Sequence, residues 1–266
     1  MTVLSFNKYH FGWKIHVYCP INPVKTKSWT TSEQKDEYTG RDYFNRLKEI
    51  DNVFIHNIDF KNIPFKYQDA SEIIKSDYFR LYILNKYGGL WSDFDIIYVN
   101  NIEDYYNNKP ERVKKCEIII YSYGINKIYP VGLFLCNRNN SVLTVILKNM
   151  EHFYNKTQYQ CLGCQMFYYL FSTQGGKQII TQMNLQGLCI DNADCYLPIK
   201  CTQLMLLYND KTIGKEEYQN NKNIIGIHWF NGANESKVYC NDLDKKMNNN
   251  NFEVNCLVDK FVQEYI

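Results

Sequence analysis

No run of about 18 apolar residues occurs in the sequence, so no membrane-spanning helix is encoded. The opening stretch MTVLSFNKYHFGWK interrupts its apolar residues with Asn, Lys and His and lacks the hydrophobic segment of a secretory signal. On this reading the chain has no route of its own into a secretory pathway, and a cytoplasmic location is expected. Charge of one sign is also scarce. A net charge of +2 and a pI near 7.9 exclude a strong field toward nucleic acid or anionic lipid. Only 6 Pro and 13 Gly occur among 266 residues. No linker rich in them divides the chain and no repeat is visible, so one domain over 1–266 is expected, less regular from about residue 160. With 45% hydrophobic and 16% aromatic residues, the chain can bury a core and is not disordered.

The 10 cysteines are spread along a chain long enough to hold itself together, so reduced, mostly buried thiols are expected. Sequons at Asn139, Asn155 and Asn234 occur about as often as chance allows in so Asn-rich a sequence and say nothing about compartment. The excess of Asn, Lys, Ile and Tyr, with the run Asn248 to Asn251, points to an AT-rich source genome, viral or microbial. That bears on origin and not on function.

Apolar runs alternate with amphipathic stretches. Strands are expected at Trp13 to Cys19, Asn52 to Ile58, Leu90 to Trp91, Ile96 to Val99, Glu117 to Tyr121, Val131 to Cys136 and Asn223 to His228. Helices are expected at Thr39 to Glu49, Ala70 to Tyr87, Val142 to Tyr154 (behind an Asn-Asn-Ser cap) and Gln165 to Thr173. Asn241 to Asn251 reads as a polar surface loop. Strands alternating with helices predict an α/β fold, a parallel or mixed sheet covered on both faces.

Residues 69–99, DASEIIKSDYFRLYILNKYGGLWSDFDIIYV, carry most of the chemistry. Asp69-x-x-Glu72 has the spacing of a capping box and Gly88-Gly89 that of a helix stop. Between them Ile73, Asp77, Arg80 and Leu84 share one helix face. A charged pair on an apolar stripe is either a solvated i,i+3 ion pair or a pair facing a ligand. Asp93-Phe94-Asp95 then follows between two apolar strand pieces. Two carboxylates so placed repel each other and lose hydration unless a cation joins them, and hard oxygen ligands suit Mn²⁺ or Mg²⁺. A lone D-x-D is more often a turn. Its linkage through Gly-Gly to the helix with Asp and Arg is what makes it specific.

The string Ser76-Asp77-Tyr78-Phe79-Arg80, Leu84, Tyr87-Gly88-Gly89-Leu90-Trp91 and Asp93-Phe94-Asp95 resembles the sugar-binding DXD region of glycosyltransferases. That pattern is shared by family 32 and capsular-type transferases and by the clostridial glucosylating toxins, with Trp91 where Tyr is usual. The resemblance implies a GT-A fold, a Rossmann-like mixed sheet with helices on both faces. It also implies sugar transfer from a nucleotide-diphosphate donor, a UDP- or GDP-sugar, to a glycan or other hydroxyl, with retention at the anomeric carbon. Carried over, Asp77 and Arg80 hold hydroxyls of the donor sugar, and Gly88 and Gly89 count with the donor-binding residues. Asp93 contacts ribose, sugar and metal shell, and Asp95 ligates Mn²⁺ (or Mg²⁺). The family normally opens with an apolar strand, Ile-Pro-x-x-Ile-His-x-x-Trp, lying under the base. Here Met-Thr-Val-Leu-Ser-Phe-Asn-Lys-Tyr reads as the helix after it, and Trp13 aligns with a later element, so that first strand is expected to be absent.

Near the C-terminus, Ile227-His228-Trp229-Phe230-Asn231-Gly232 resembles the family's late His-Trp element, which implies His228 as a third metal ligand and Trp229 packed over the donor. The alternative is a core histidine beside a packed indole. Gly163-Cys164-Gln165 stands where the family often has Gly-Pro. Gln165 there either approaches the sugar or lies on a helix surface. Cys161 and Cys164 with Cys189, Cys195 and Cys201 offer zinc-ligand residue types but lack a second C-x-x-C. Tyr121, Tyr123 and Tyr129 border a sugar cleft or pack in the core. Three function classes follow: a metal-dependent retaining hexosyltransferase, a catalytically inactive relative that binds sugar nucleotide or glycan, and a two-metal phosphohydrolase or nuclease. The last would leave Arg80 unexplained.

Overall fold

Strand residues in this chain tend to be apolar on both sides of the strand, and the fold uses both. The computed structural model describes residues 1–24, 39–125, 127–182, 187–248 and 252–265. In order, the elements are α1 (Thr2–Tyr9), β1 (Ile15–Pro20), β2 (Val53–Ile58), α2 (Glu72–Tyr87), β3 (Gly89–Ser92), β4 (Ile96–Tyr98), α3 (Ile102–Asn107), α4 (Glu111–Lys114), β5 (Ile118–Ser122), β6 (Leu133–Cys136) and α5 (Ser141–Asn149). They continue with α6 (Cys164–Ser172), α7 (Gln174–Gln182), β7 (Leu188–Asn192), α8 (Leu204–Tyr208), α9 (Glu216–Gln219), β8 (Gly226–His228), α10 (Asn234–Asn248) and α11 (Leu257–Val262). No helix among the described residues is long and apolar enough to cross a membrane.

Four strands in the order β3-β6-β5-β7 form the central mixed sheet, with β5 parallel to β7 and antiparallel to β6. A parallel pair β1-β2 and an antiparallel pair β4-β8 flank it. Because side chains alternate along a strand, Ile118 and Ile120 of β5 enter one core with α2, α5 and α6, while Ile119 and Tyr121 enter a second with α1 and β4. The strand β4 repeats the device: Ile96 and Tyr98 join the second core, Ile97 and Val99 a third with α8, α10 and α11. This is a mixed α/β architecture with helices around a mixed sheet, consistent with a GT-A-like fold. The N-terminal residues form a helix, as their pattern predicts, and α1 docks on β4 through Thr2 Oγ1 to Phe94 O at 2.5 Å and Tyr98 N–H to Ser5 Oγ at 3.0 Å.

Four local expectations are corrected. Residues 39–49 are not one helix: only Phe44–Glu49 coils, as a 3₁₀ helix with no buried residue to hold a longer one. Asp69 and Glu72 form no capping box. The helix begins two residues later than that box requires, with Ser71 at the cap position. Asp69 pairs with Lys156 at 2.5 Å, and Glu72 accepts from Val24 N–H at 2.8 Å. Residues 241–248 belong to α10 and not to a loop, with 249–251 outside the described residues. Its stripe Ser236, Tyr239, Cys240 and Leu243 recurs at three- and four-residue steps and packs on the third core. Finally, Cys116 and Cys189 are joined as a disulfide, because the pairing of β5 with β7 brings Cα atoms 73 residues apart in sequence within 5.9 Å. The other eight cysteines are free thiols.

Candidate active site

The helix α2 stops where its sequence says it should. Gly88 takes φ 72° at the C-cap, and a side chain there would meet the backbone N of Arg138 at 2.6 Å. The turn sends the chain back as β3, whose alternation places Trp91 and Asp93 on one face. Asp95 follows just before β4, its carbonyl accepting from Trp229 N–H at 2.8 Å. The antiparallel pairing of β4 with β8 sets Ile96 opposite His228 and so carries His228 to Asp95. Ligand atoms of Asp93, Asp95 and His228 lie within 4.8 Å of one another, the metal-capable group among the described residues, and no cysteine joins one.

A cleft of about 740 Å³ opens over these groups. Its walls include Arg80, Gly88, Trp91, Asp93, Asp95 and Asn231 on one side and His16, Tyr18 and His56 of β1 and β2 on the other. Gly89 is exposed at the start of β3.

The Asp77–Arg80 pair is not solvated. The two side chains are 1% and 6% exposed, with Arg80 Nη2 3.1 Å from Asp77 Oδ1. No N–H is aimed along a hydrogen-bond direction at either Asp77 oxygen, and Oδ2 has no polar partner among the described residues. Arg80 directs Nη1 instead at Val131 O and at Asp93, 3.2 Å from Oδ1 and 3.3 Å from Oδ2. Burial pushes the Asp77 carboxyl up to about 6, Arg80 opposing and Asp93 adding to the shift. Gly163 seals Asp77 from outside: a Cβ there would stand 2.6 Å from Oδ2. Asp77 therefore sits behind the cleft wall, while Arg80 and Leu84 of the same helix face line the cleft with Ser76 beside them.

Around the carboxylates, burial pushes Asp93 up against the pull of Arg80, and Asp95 pushes it further. Burial also acts upward on Asp95, but the His228 imidazole and the Asn231 N–H, 3.0 Å from Oδ2, outweigh it and hold Asp95 low. His228 Nε2 lies 3.1 Å from Asp95 Oδ1, off the line of a hydrogen bond. Burial lowers His228, yet Asp95 and then Asp93 raise it overall. Its Nδ1 accepts from Phe230 N–H at 3.2 Å, so the neutral ring carries its proton on Nε2, toward Asp95.

Residues 25–113 match the family model described as a glycosyltransferase sugar-binding region containing a DXD motif. The stretch is similar to the DXD-containing sugar-binding region of glycosyltransferases. It contains Asp77, Arg80, Gly88, Gly89, Asp93 and Asp95, and it ends before β5, so His228 and Trp229 stand outside it. No curated protein matches the chain.

Of the other expected residues, Trp229 is half-buried against the third core, its Nε1 without a hydrogen-bond partner among the described residues, and it is not among the cleft residues. Tyr121 and Tyr129 are core residues. Gln165 lies exposed on α6 and donates to Tyr159 O at 2.8 Å. Sequence reasoning missed Gly163 as the cover of Asp77, Asn231 as a donor to Asp95 and the facing wall of His16, Tyr18 and His56. None has a local signal, since each meets the motif only through the fold.

Asp77 sets a stability test. Its native carboxyl holds a proton up to about 6 against an ordinary 3.8, so the native state binds that proton more tightly than the unfolded chain. Stability contributed by this group must fall as pH rises through that window, by something on the order of 2–4 kcal/mol. Asp77→Asn removes the titration. Urea unfolding at pH 4.5 and pH 7.5 should show the variant gaining on wild type at the higher pH. Parallel pH profiles would contradict the buried-carboxylate assignment.

Proposed function

We propose that the chain is a divalent-metal-dependent glycosyltransferase that moves a sugar from a UDP- or GDP-sugar to a hydroxyl of a glycan acceptor, with retention of anomeric configuration. The observation that carries this reading is the convergence of Asp93 and Asp95, which line an open cleft beside Arg80 within the matched region, with His228, which reaches them from outside that region and is not itself a cleft-lining residue. The donor set suits Mn²⁺ or Mg²⁺: the Asp95 charge pushes up the buried Asp93 carboxyl when no cation lies between them, and a buried Asp95 oxygen lacks a hydrogen-bond partner among the described residues. A cation held there would neutralise charge growing on the pyrophosphate leaving group.

The protein's own groups supply orientation. Asp95 and Asp93 would hold the cation, and Arg80, which donates to Asp93 and lines the cleft, would offer its guanidinium to a sugar hydroxyl. Asp77 would take a second hydroxyl only in a state where Gly163 no longer covers it. His228 ligates through Nε2 only if that nitrogen gives up its proton, which also costs the Phe230 N–H contact. A panel of UDP- and GDP-sugars with Mn²⁺, scored for donor hydrolysis and thermal shift against EDTA controls, tests the reading. Hydrolysis that ignores EDTA would overturn metal dependence. The covering of Asp77 by Gly163 favours one second reading, a sugar-nucleotide binder without turnover. Thermal shifts without hydrolysis would identify it.

His228 offers a pH test. Its ring pKa is raised above 6.5, so protons and Mn²⁺ compete for Nε2 on the alkaline side of the usual histidine range. Apparent Mn²⁺ affinity with nucleoside diphosphate present should rise from pH 6 to pH 8 and lose that dependence in His228→Ala. A core histidine would leave both titrations alike and would instead cost stability on truncation.

A further inference from the structure

One cleft residue is tied to both halves of the site and has no role in the reading above. Trp91 lies two residues before Asp93 on the same face of β3, so its ring stands beside that carboxylate. Its indole Nε1–H donates to Asp93 Oδ1 at 2.8 Å. The Arg80 guanidinium carbon sits 5.3 Å from the centre of the same ring. Arg80 in turn donates to Asp93 Oδ1 at 3.2 Å and more distantly to Oδ2 at 3.3 Å. Asp93 Oδ1 is thus engaged by two donors at the shorter distances. Oδ2 turns toward Gly132, where a Cβ would lie 3.3 Å from it and 3.5 Å from His228 Nε2.

We propose that Trp91 is a positioning residue: its indole N–H occupies Asp93 Oδ1 and its ring face seats Arg80, so that Asp93 Oδ2 is the oxygen offered to the cation. The inference rests on the metal-dependent reading for its consequence, but the hydrogen bond it invokes belongs to the chain alone. A carboxylate on a strand edge rotates about its terminal torsion at little cost, and each rotation changes which lone pairs face Asp95 and His228. Arg80 alone reaches both oxygens at nearly equal distance and does not choose between them. The indole does, because a single N–H placed beside one oxygen breaks that symmetry. Hydrogen-bond partners of metal-ligating carboxylates typically contribute about 10- to 100-fold in metal affinity.

The test uses the whole chain and two readouts. Free Mn²⁺ is followed by electron paramagnetic resonance during titration of wild type and Trp91→Phe, with GDP or UDP present. Phe keeps an aromatic face for Arg80 and deletes only the N–H. Affinity should drop about tenfold or more, with the melting temperature close to wild type. Equal affinities would overturn the proposal. In parallel, the sequence holds 4 Trp, and the Trp91 indole N–H signal is identified by its loss in Trp91→Phe or Trp91→Tyr. That signal should move in Asp93→Asn and on adding Mg²⁺ to wild type. If Asp93→Asn leaves it in place, Trp91 does not position Asp93. Should wild type bind no Mn²⁺, the metal-dependent reading fails by itself, and the response of the indole signal to Asp93→Asn still decides the role of Trp91.

Discussion

Asp95→Asn is expected to lower turnover by roughly 10²–10³-fold, the range lost when one group that stabilises a developing charge is removed, while the fold persists. Asn keeps the size of the side chain and an acceptor oxygen for the Asn231 N–H, which donates to Oδ2 at 3.0 Å. It loses the charge that a divalent cation requires. The choice of Asn over Ala matters. Asp95 is held ionised by His228 and that backbone N–H despite its burial, so Asp95→Ala would strip both of their partner. From sequence alone, deleting one of two crowded carboxylates promises a gain in stability. The structure reverses the sign for Ala, with a loss of about 1–3 kcal/mol from the groups left unpaired. Steady-state rates with and without added Mn²⁺, beside melting curves of both variants, check the pair of expectations. Wild-type turnover in Asp95→Asn would remove this carboxylate from the metal site.

Arg80→Met should show the largest effect on stability. The guanidinium is 6% exposed, lies against Asp77 and Asp93, and donates to Val131 O. Taking it away leaves Asp77 buried without a compensating charge and Val131 O without that donor. Breaking a buried pair from one side costs about 3–5 kcal/mol. The double variant Asp77→Leu/Arg80→Met should recover much of this, because apolar side chains of similar volume avoid the desolvation both charges suffer. Turnover should stay low in both, since each lacks the group that faces the cleft. Urea unfolding of wild type, single and double variants at pH 7.5 measures the coupling. A single-variant cost under about 1 kcal/mol, the scale of an exposed pair, would mean that Arg80 is not the keystone of this site.

Much of the fold is legible because local signals and tertiary demands agree. The strands β1, β2, β4 and β5 fall within a few residues of where β-branched and aromatic runs predict them, and α2 ends at Gly88 as its turn chemistry requires. Disagreement appears where a neighbour decides. The polar stretch 241–248 reads as a loop beside the Asn run that follows it, yet α10 forms as Tyr239 and Leu243 find the third core and Asp244 accepts from Tyr43 Oη. Strand β7 is short and unremarkable in sequence, and it exists because β5 offers it a parallel edge. The candidate site divides the same way. The acidic pair and its helix partners are legible because their geometry is set within about twenty-five residues, by a helix face, a glycine turn and a strand alternation. His228 is suggested by residue type, but its place beside Asp95 comes from the β4–β8 register.

The sequence by itself determined the chemistry on offer: two close carboxylates, an Asp and an Arg on one helix face, and a glycine turn joining them. It determined this because these relations span short distances along the chain, where backbone geometry alone fixes which side chains meet. Only the tertiary structure decided the environment of those groups. Gly163 arrives from a segment more than eighty residues away to bury Asp77, β8 returns to raise His228 and lower Asp95, and β7 brings Cys189 to Cys116. Desolvation and charge coupling depend on what packs against a group from every side, and no spacing along one segment records that.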